Sequence, residues 1–112
     1  MSELSDKQKK FTLLISKLIQ WAYEHGYELT FGDAYRNPEK AEVLGYYKPW
    51  SYHCKRLAVD LNLFKDGKYL TRTEDHKPLG EFWESIGGTW GGRWHDGNHY
   101  SLGEGGKNEH GI

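Results

Sequence analysis

Leu57-Ala58-Val59-Asp60-Leu61-Asn62-Leu63-Phe64 is the stretch that decides how this chain folds. Its apolar residues predict a strand set against a core. Lys65-Asp66-Gly67-Lys68 supplies a turn, and Tyr69-Leu70 beyond it is placed to pair back as a hairpin. Asp60 does not belong in such a strand on hydrophobic grounds. A carboxylate there is costly unless it is paired or bound to a metal.

Upstream, Phe11, Leu14, Ile15, Leu18, Ile19 and Ala22 recur at helical spacing, which predicts a helix over residues 5–25. Ser5 or Asp6 is the expected cap, and Gly26 the expected stop. Residues 27–31 alternate as a strand, and Gly32-Asp33 turns the chain. Ala34-Tyr35-Arg36 then leads into Asn37-Pro38-Glu39, a helix start with Pro38 in the first helical position; that helix reaches Val43, and Gly45 to Trp50 is loop. Downstream, residues 78–86 predict a short helix carrying Leu79, Phe82, Trp83 and Ile86. Nine of the fourteen glycines lie beyond Ile86, where Asn98 to Leu102 is the one expected strand. The expected organisation is a single domain over residues 1–102 and a loose glycine-rich tail over 103–112.

With 112 residues the chain has length for one domain and one core. Net charge is −1 and the basic residues are scattered, so nucleic acid is not an expected partner. No apolar run approaches membrane length, and the first ten residues lack the apolar core of a signal peptide. Cys54 is the single cysteine, which excludes an internal disulfide. Synthesis in the cytoplasm without a leader is the expectation.

His53, Asp60 and His99 form the chemical signal. Two imidazoles and one carboxylate are a known catalytic zinc set that leaves a fourth position for water. Zinc so held lowers the pKa of water and polarises a scissile carbonyl. Asp96 lies three residues before His99, where a tight turn can place it as general base. A rival parse puts His95 and His99 on one helix face. Gly91, Gly92 and Gly97 argue against a helix there. Arg36, between a strand and a helix, can stabilise an oxyanion or grip a substrate carboxylate. His25, His76 and His110 read as surface or satisfied core residues.

Ser51-Tyr52-His53 followed by Ala58-Val59-Asp60-Leu61 resembles the Ser-x-His-x6-Asp signature of the M15 zinc peptidases. That group comprises D-Ala-D-Ala carboxypeptidases and L-alanyl-D-glutamate endopeptidases, several phage endolysins among them. Asp96 and His99 resemble its second signature, and Trp90-Gly91-Gly92 the stretch common before it. Gly32 to Pro38, with Arg36, resembles its Gly-x-x-x-Arg-x-Pro-like segment. The resemblance implies zinc bound by His53, Asp60 and His99, Asp96 as base, and Arg36, Ser51 and Tyr35 toward the substrate.

It also implies an α+β fold like that of DD-peptidases and hedgehog domains, with a small antiparallel sheet and zinc in a surface groove. A peptidoglycan stem peptide is then the expected partner of a monomer that does not insert in membranes. Asp rather than Glu at position 96 resembles the endolysin branch and tilts the reading toward L-Ala-D-Glu cleavage, with release to the wall through a phage holin. The alternatives are D-Ala-D-Ala carboxypeptidase or dipeptidase, and a non-catalytic zinc-containing wall-binding domain. Arg56 departs from the family, many of whose members place glycine there.

Overall fold

The computed structural model describes residues 3–33 and 56–103. The helix α1 (Glu3–Glu24) buries Phe11, Leu14, Ile15, Leu18 and Ala22, the face its periodicity marks out. It starts earlier than expected, so Asp6 lies in its first turn and is not the cap. A carboxylate there still favours the positive end of the helix dipole. Gly26, at φ +86°, ends the helix in the left-handed conformation. Its N–H donates to Tyr23 O at 3.3 Å and the Tyr27 N–H to Ala22 O at 2.9 Å, the paired bonds that satisfy the last carbonyls.

Among the described residues five strands follow: β1 (Glu28–Phe31), β2 (Ala58–Lys65), β3 (Lys68–Leu70), β4 (Thr89–Trp90) and β5 (His99–Ser101). The sheet is antiparallel in the order β1-β2-β5-β4, with β3 paired to β2. Asp66 and Gly67 both have positive φ, +53° and +79°, as the tight two-residue turn between β2 and β3 requires. The second helix, α2 (Lys77–Ser85), matches the expected one, with Pro78 in its first turn. A 3-10 turn (Thr73–His76) leads into it. The expected helix from Asn37 to Val43 and the loop from Gly45 to Trp50 lie outside the described residues.

Alternation along β2 separates two faces. Val59, Leu61 and Leu63 are buried together with Leu18, Leu79, Trp83 and Tyr100. Phe11 and Tyr100 each meet Trp83 edge-on, at 5.9 and 6.3 Å between ring centres, so both helices cover this face. Ala58, Asp60, Asn62 and Phe64 point the other way. Asp60 is therefore not surrounded by its leucine neighbours: the pleat sends them into the core and the carboxylate to the opposite face. The architecture is α+β, with, among the described residues, two helices on one side of a small open sheet.

Candidate active site

Asp60 and His99 stand directly opposite each other, one on β2 and one on β5. The Asp60 N–H donates to Asp33 O, and its carbonyl accepts from the Gly32 N–H, each at 2.7 Å. Both backbone groups thus face the β1 edge, while Leu61 donates to Asn98 O across the other edge. Asp60 and His99 are therefore a non-hydrogen-bonded pair, the class in which facing side chains come closest. His99 Nδ1 lies 3.4 Å from Asp60 Oδ1. The imidazole is buried and the carboxylate about one-fifth exposed.

Asp96 occupies the turn before β5, its Oδ2 4.0 Å from His99 Nδ1 and its side chain half-exposed. That turn is fastened from several directions. The Asp96 N–H donates to Gly91 O at 2.9 Å, and Asp96 O accepts from the His99 N–H at 3.1 Å. The Gly97 N–H donates to Thr73 Oγ1 at 3.2 Å, and Trp90 Nε1–H donates to Gly97 O at 2.7 Å. Gly91 begins a second 3-10 turn (Gly91–Trp94), and a Cβ there would collide with Asp96 O and the His99 Cβ. A Cβ on Gly97 would press on the Thr73 backbone. The glycines of this segment permit close approach of backbones around the site.

His95 has φ +64° and caps the 3-10 turn, so His95 and His99 do not share a helix face, in keeping with the reading of the sequence. Trp94 closes one flank of the site, its ring centre 5.8 Å from that of His99. His76 is buried, and its Nδ1 shares a 2.8 Å hydrogen bond with the Tyr100 hydroxyl. Burial lowers the His76 imidazole to about 4, against a smaller opposing effect of Asp75, and pushes the Tyr100 phenol upward. Both are neutral near pH 7, so His76 is a satisfied core histidine, as expected.

Two ligands of one tetrahedral zinc, each about 2.0–2.2 Å from the ion, stand roughly 3.3–3.5 Å apart. The 3.4 Å between His99 Nδ1 and Asp60 Oδ1 agrees with that spacing and is longer than a good charge-assisted hydrogen bond. An imidazole and a carboxylate are also the donor types zinc takes. Among the described residues no three His, Cys, Asp or Glu side chains converge closely enough to hold a metal by themselves. His53 lies outside the described residues, as do Tyr35, Arg36, Ser51 and Cys54. Arg56, where the family resemblance calls for glycine, has φ +60°. A left-handed backbone there costs a non-glycine residue about 1–2 kcal/mol, which is the physical reason for that preference.

Thr73 and Trp90, whose hydrogen bonds brace the turn of Asp96, carry no signal of that role in the sequence. Thr73 is distant in sequence and carried no motif. Trp90 stands out in the sequence only as part of a glycine-tryptophan stretch. A family model described as D-alanyl-D-alanine carboxypeptidase, of M15 peptidase type, matches residues 45–102. No curated protein matches the chain.

Proposed function

Because this chain belongs to the M15 peptidases, we propose that it hydrolyses a peptide bond of the peptidoglycan stem peptide, with zinc held by His53, Asp60 and His99. The observation that supports this best is the Asp60–His99 pair at 3.4 Å with Asp96 one turn away. When bound, zinc supplies Lewis-acid activation of the attacking water and of the scissile carbonyl. Asp96 takes the proton from that water and delivers it to the leaving amine. Its carboxylate is half-exposed, while His99 is buried and oriented by its strand. Arg36 stabilises the developing oxyanion or holds a substrate carboxylate, and Ser51 and Tyr35 contact the peptide.

The cleaved bond is L-Ala-D-Glu in this reading, on the strength of Asp at position 96. Trimming of D-Ala-D-Ala is the second reading, and the description of the matching family model favours it. Mass spectrometry of digested peptidoglycan separates them: new amino-terminal glutamate marks the first, released D-alanine the second. Asp96→Asn should retain zinc and fold while losing about 10²–10⁴-fold in rate, the usual cost of removing a general base. His53→Ala, Asp60→Ala and His99→Ala should each lose the metal. Native-rate cleavage by Asp96→Asn would overturn the acid–base assignment. A zinc-loaded protein that cuts no wall fragment would move the non-catalytic binding reading to the front.

A further inference from the structure

Strands β3 and β5 both pair with the same edge of β2, β5 along Ala58 to Asp60 and β3 along Leu63 to Lys65. Between them a notch is left at Leu61 and Asn62, and it holds a cavity of about 190 Å³. Asn62, Tyr69, Arg72, Thr73, Asp96 and Asn98 are among its walls. We propose that this notch is a substrate subsite for a peptide carboxylate, with Arg72 as the residue that recognises it. The proposal rests on the peptidase reading above and adds a specificity determinant to it.

Position comes first. Asp96 lines the notch and also lies 4.0 Å from His99 Nδ1, so a peptide engaged at Asp96 has the notch immediately beside it. Rigidity comes second. The Thr73–Gly97 hydrogen bond joins the residue after Arg72 to the residue after Asp96, and the two backbones touch at that point. Arg72 is thus anchored at a fixed place relative to the general base.

Charge is the third consideration. Arg72 is the only Lys or Arg among the described residues that line the notch. His76, at its inner wall, is kept neutral near pH 7 by burial. The guanidinium meets Asp75 Oδ1 at 3.6 Å with its side chain 73% exposed. That distance exceeds hydrogen-bond range, and an exposed pair of this kind contributes little. Asp75 is oriented instead by the backbone of Arg72, whose N–H donates to Asp75 Oδ2 at 3.0 Å. A loosely paired guanidinium can turn to a ligand carboxylate and form the two parallel bonds for which its geometry is suited.

The carboxylate has two chemical sources in a stem-type peptide, an internal glutamyl residue and the C-terminus. Three synthetic peptides distinguish them: one unmodified, one with the internal carboxylate as carboxamide, one with the C-terminus as carboxamide. Calorimetry on the zinc-loaded protein reads Kd, and initial rates read KM and kcat. One of the two amidated peptides should bind about 10-fold or more weaker than the unmodified one, as loss of a charge-assisted pair implies. Arg72→Gln should abolish that discrimination and raise KM for the unmodified peptide, and Arg72→Lys should restore part of it. Equal binding of all three peptides, or discrimination that survives Arg72→Gln at unchanged melting temperature, overturns the proposal. Selective binding without cleavage would sink the peptidase reading and leave the subsite standing; cleavage without discrimination would do the reverse.

Discussion

Strands β1 and β5 lie on opposite edges of β2 and differ by one residue in length, yet they are different environments. His99, Tyr100 and Ser101 of β5 are all buried, whereas Glu28, Thr30 and Phe31 of β1 are exposed. Their neighbours account for the difference. β5 runs between β2 and β4, and two indoles converge on it and on the turn before it. Trp83 Nε1–H donates to Thr89 O and Ser101 O at 3.1 and 2.9 Å, tying β4 and β5 to α2, and Trp90 holds the turn at Gly97. Among the described residues β1 pairs with β2 alone. A three-residue strand can thus carry a buried imidazole in fixed register when its neighbours surround it. The face that carries Asp60 and His99 is at the more enclosed end of the sheet, which suits the preorganisation the proposed site requires.

Trp83→Ala should break this contrast most severely. The indole is fully buried, and its removal leaves both a cavity and two carbonyls without their shared donor. Loss of such a side chain costs about 3–5 kcal/mol, measurable by urea unfolding. A cost below about 1 kcal/mol, within the range of ordinary surface changes, would refute the claim that this end is the more enclosed one.

His76 sharpens the comparison through pH. Its folded-state pKa, about 4, lies below the unfolded value of 6.5, so the unfolded chain binds more protons between them. The stability contribution is therefore complete above pH 6.5 and is lost as pH falls toward 4. A shift of this size corresponds to about 3 kcal/mol. His76→Gln, which cannot titrate, should flatten the melting temperature over that window relative to the parent. Parallel curves for the two proteins would contradict the assignment.

The smallest effect belongs to the other end of β2. Tyr69 on β3 stacks on Phe64 at 5.2 Å between ring centres but is more than half exposed. Tyr69→Ala should cost about 0.2–1 kcal/mol, the value of a cross-strand pair. A loss comparable with that of Trp83→Ala would erase the distinction between the two ends.

Local signals in the sequence led correctly to several of these elements. The face of α1 followed from the spacing of Phe11 to Ala22, because helix period and apolar burial are coupled within a few residues. The β2–β3 hairpin followed from Asp66-Gly67, since few residue pairs accept two positive φ values. The glycine-rich stretch after Ile86 carries weaker local signals. It contains β4 and a 3-10 turn that composition did not reveal. Glycine states that space is tight or the backbone unusual without saying against what, and Gly91 acquires meaning only beside Asp96 and His99.

By itself the sequence determined the chemical inventory: a helix with one apolar face, a strand with a carboxylate in it, a histidine following an acid by three residues, and the motif spacing of an M15 peptidase. The tertiary structure alone decided that Asp60 faces His99 in a non-hydrogen-bonded register, and that Thr73 clasps the turn beside Asp96. The physical reason is the range of the forces involved. Backbone geometry repeats over two to four residues and leaves its period in the sequence. Strand register and the meeting of distant turns depend instead on how Trp83, Trp90 and Tyr100 fill the space between α2 and β5, which no local pattern encodes.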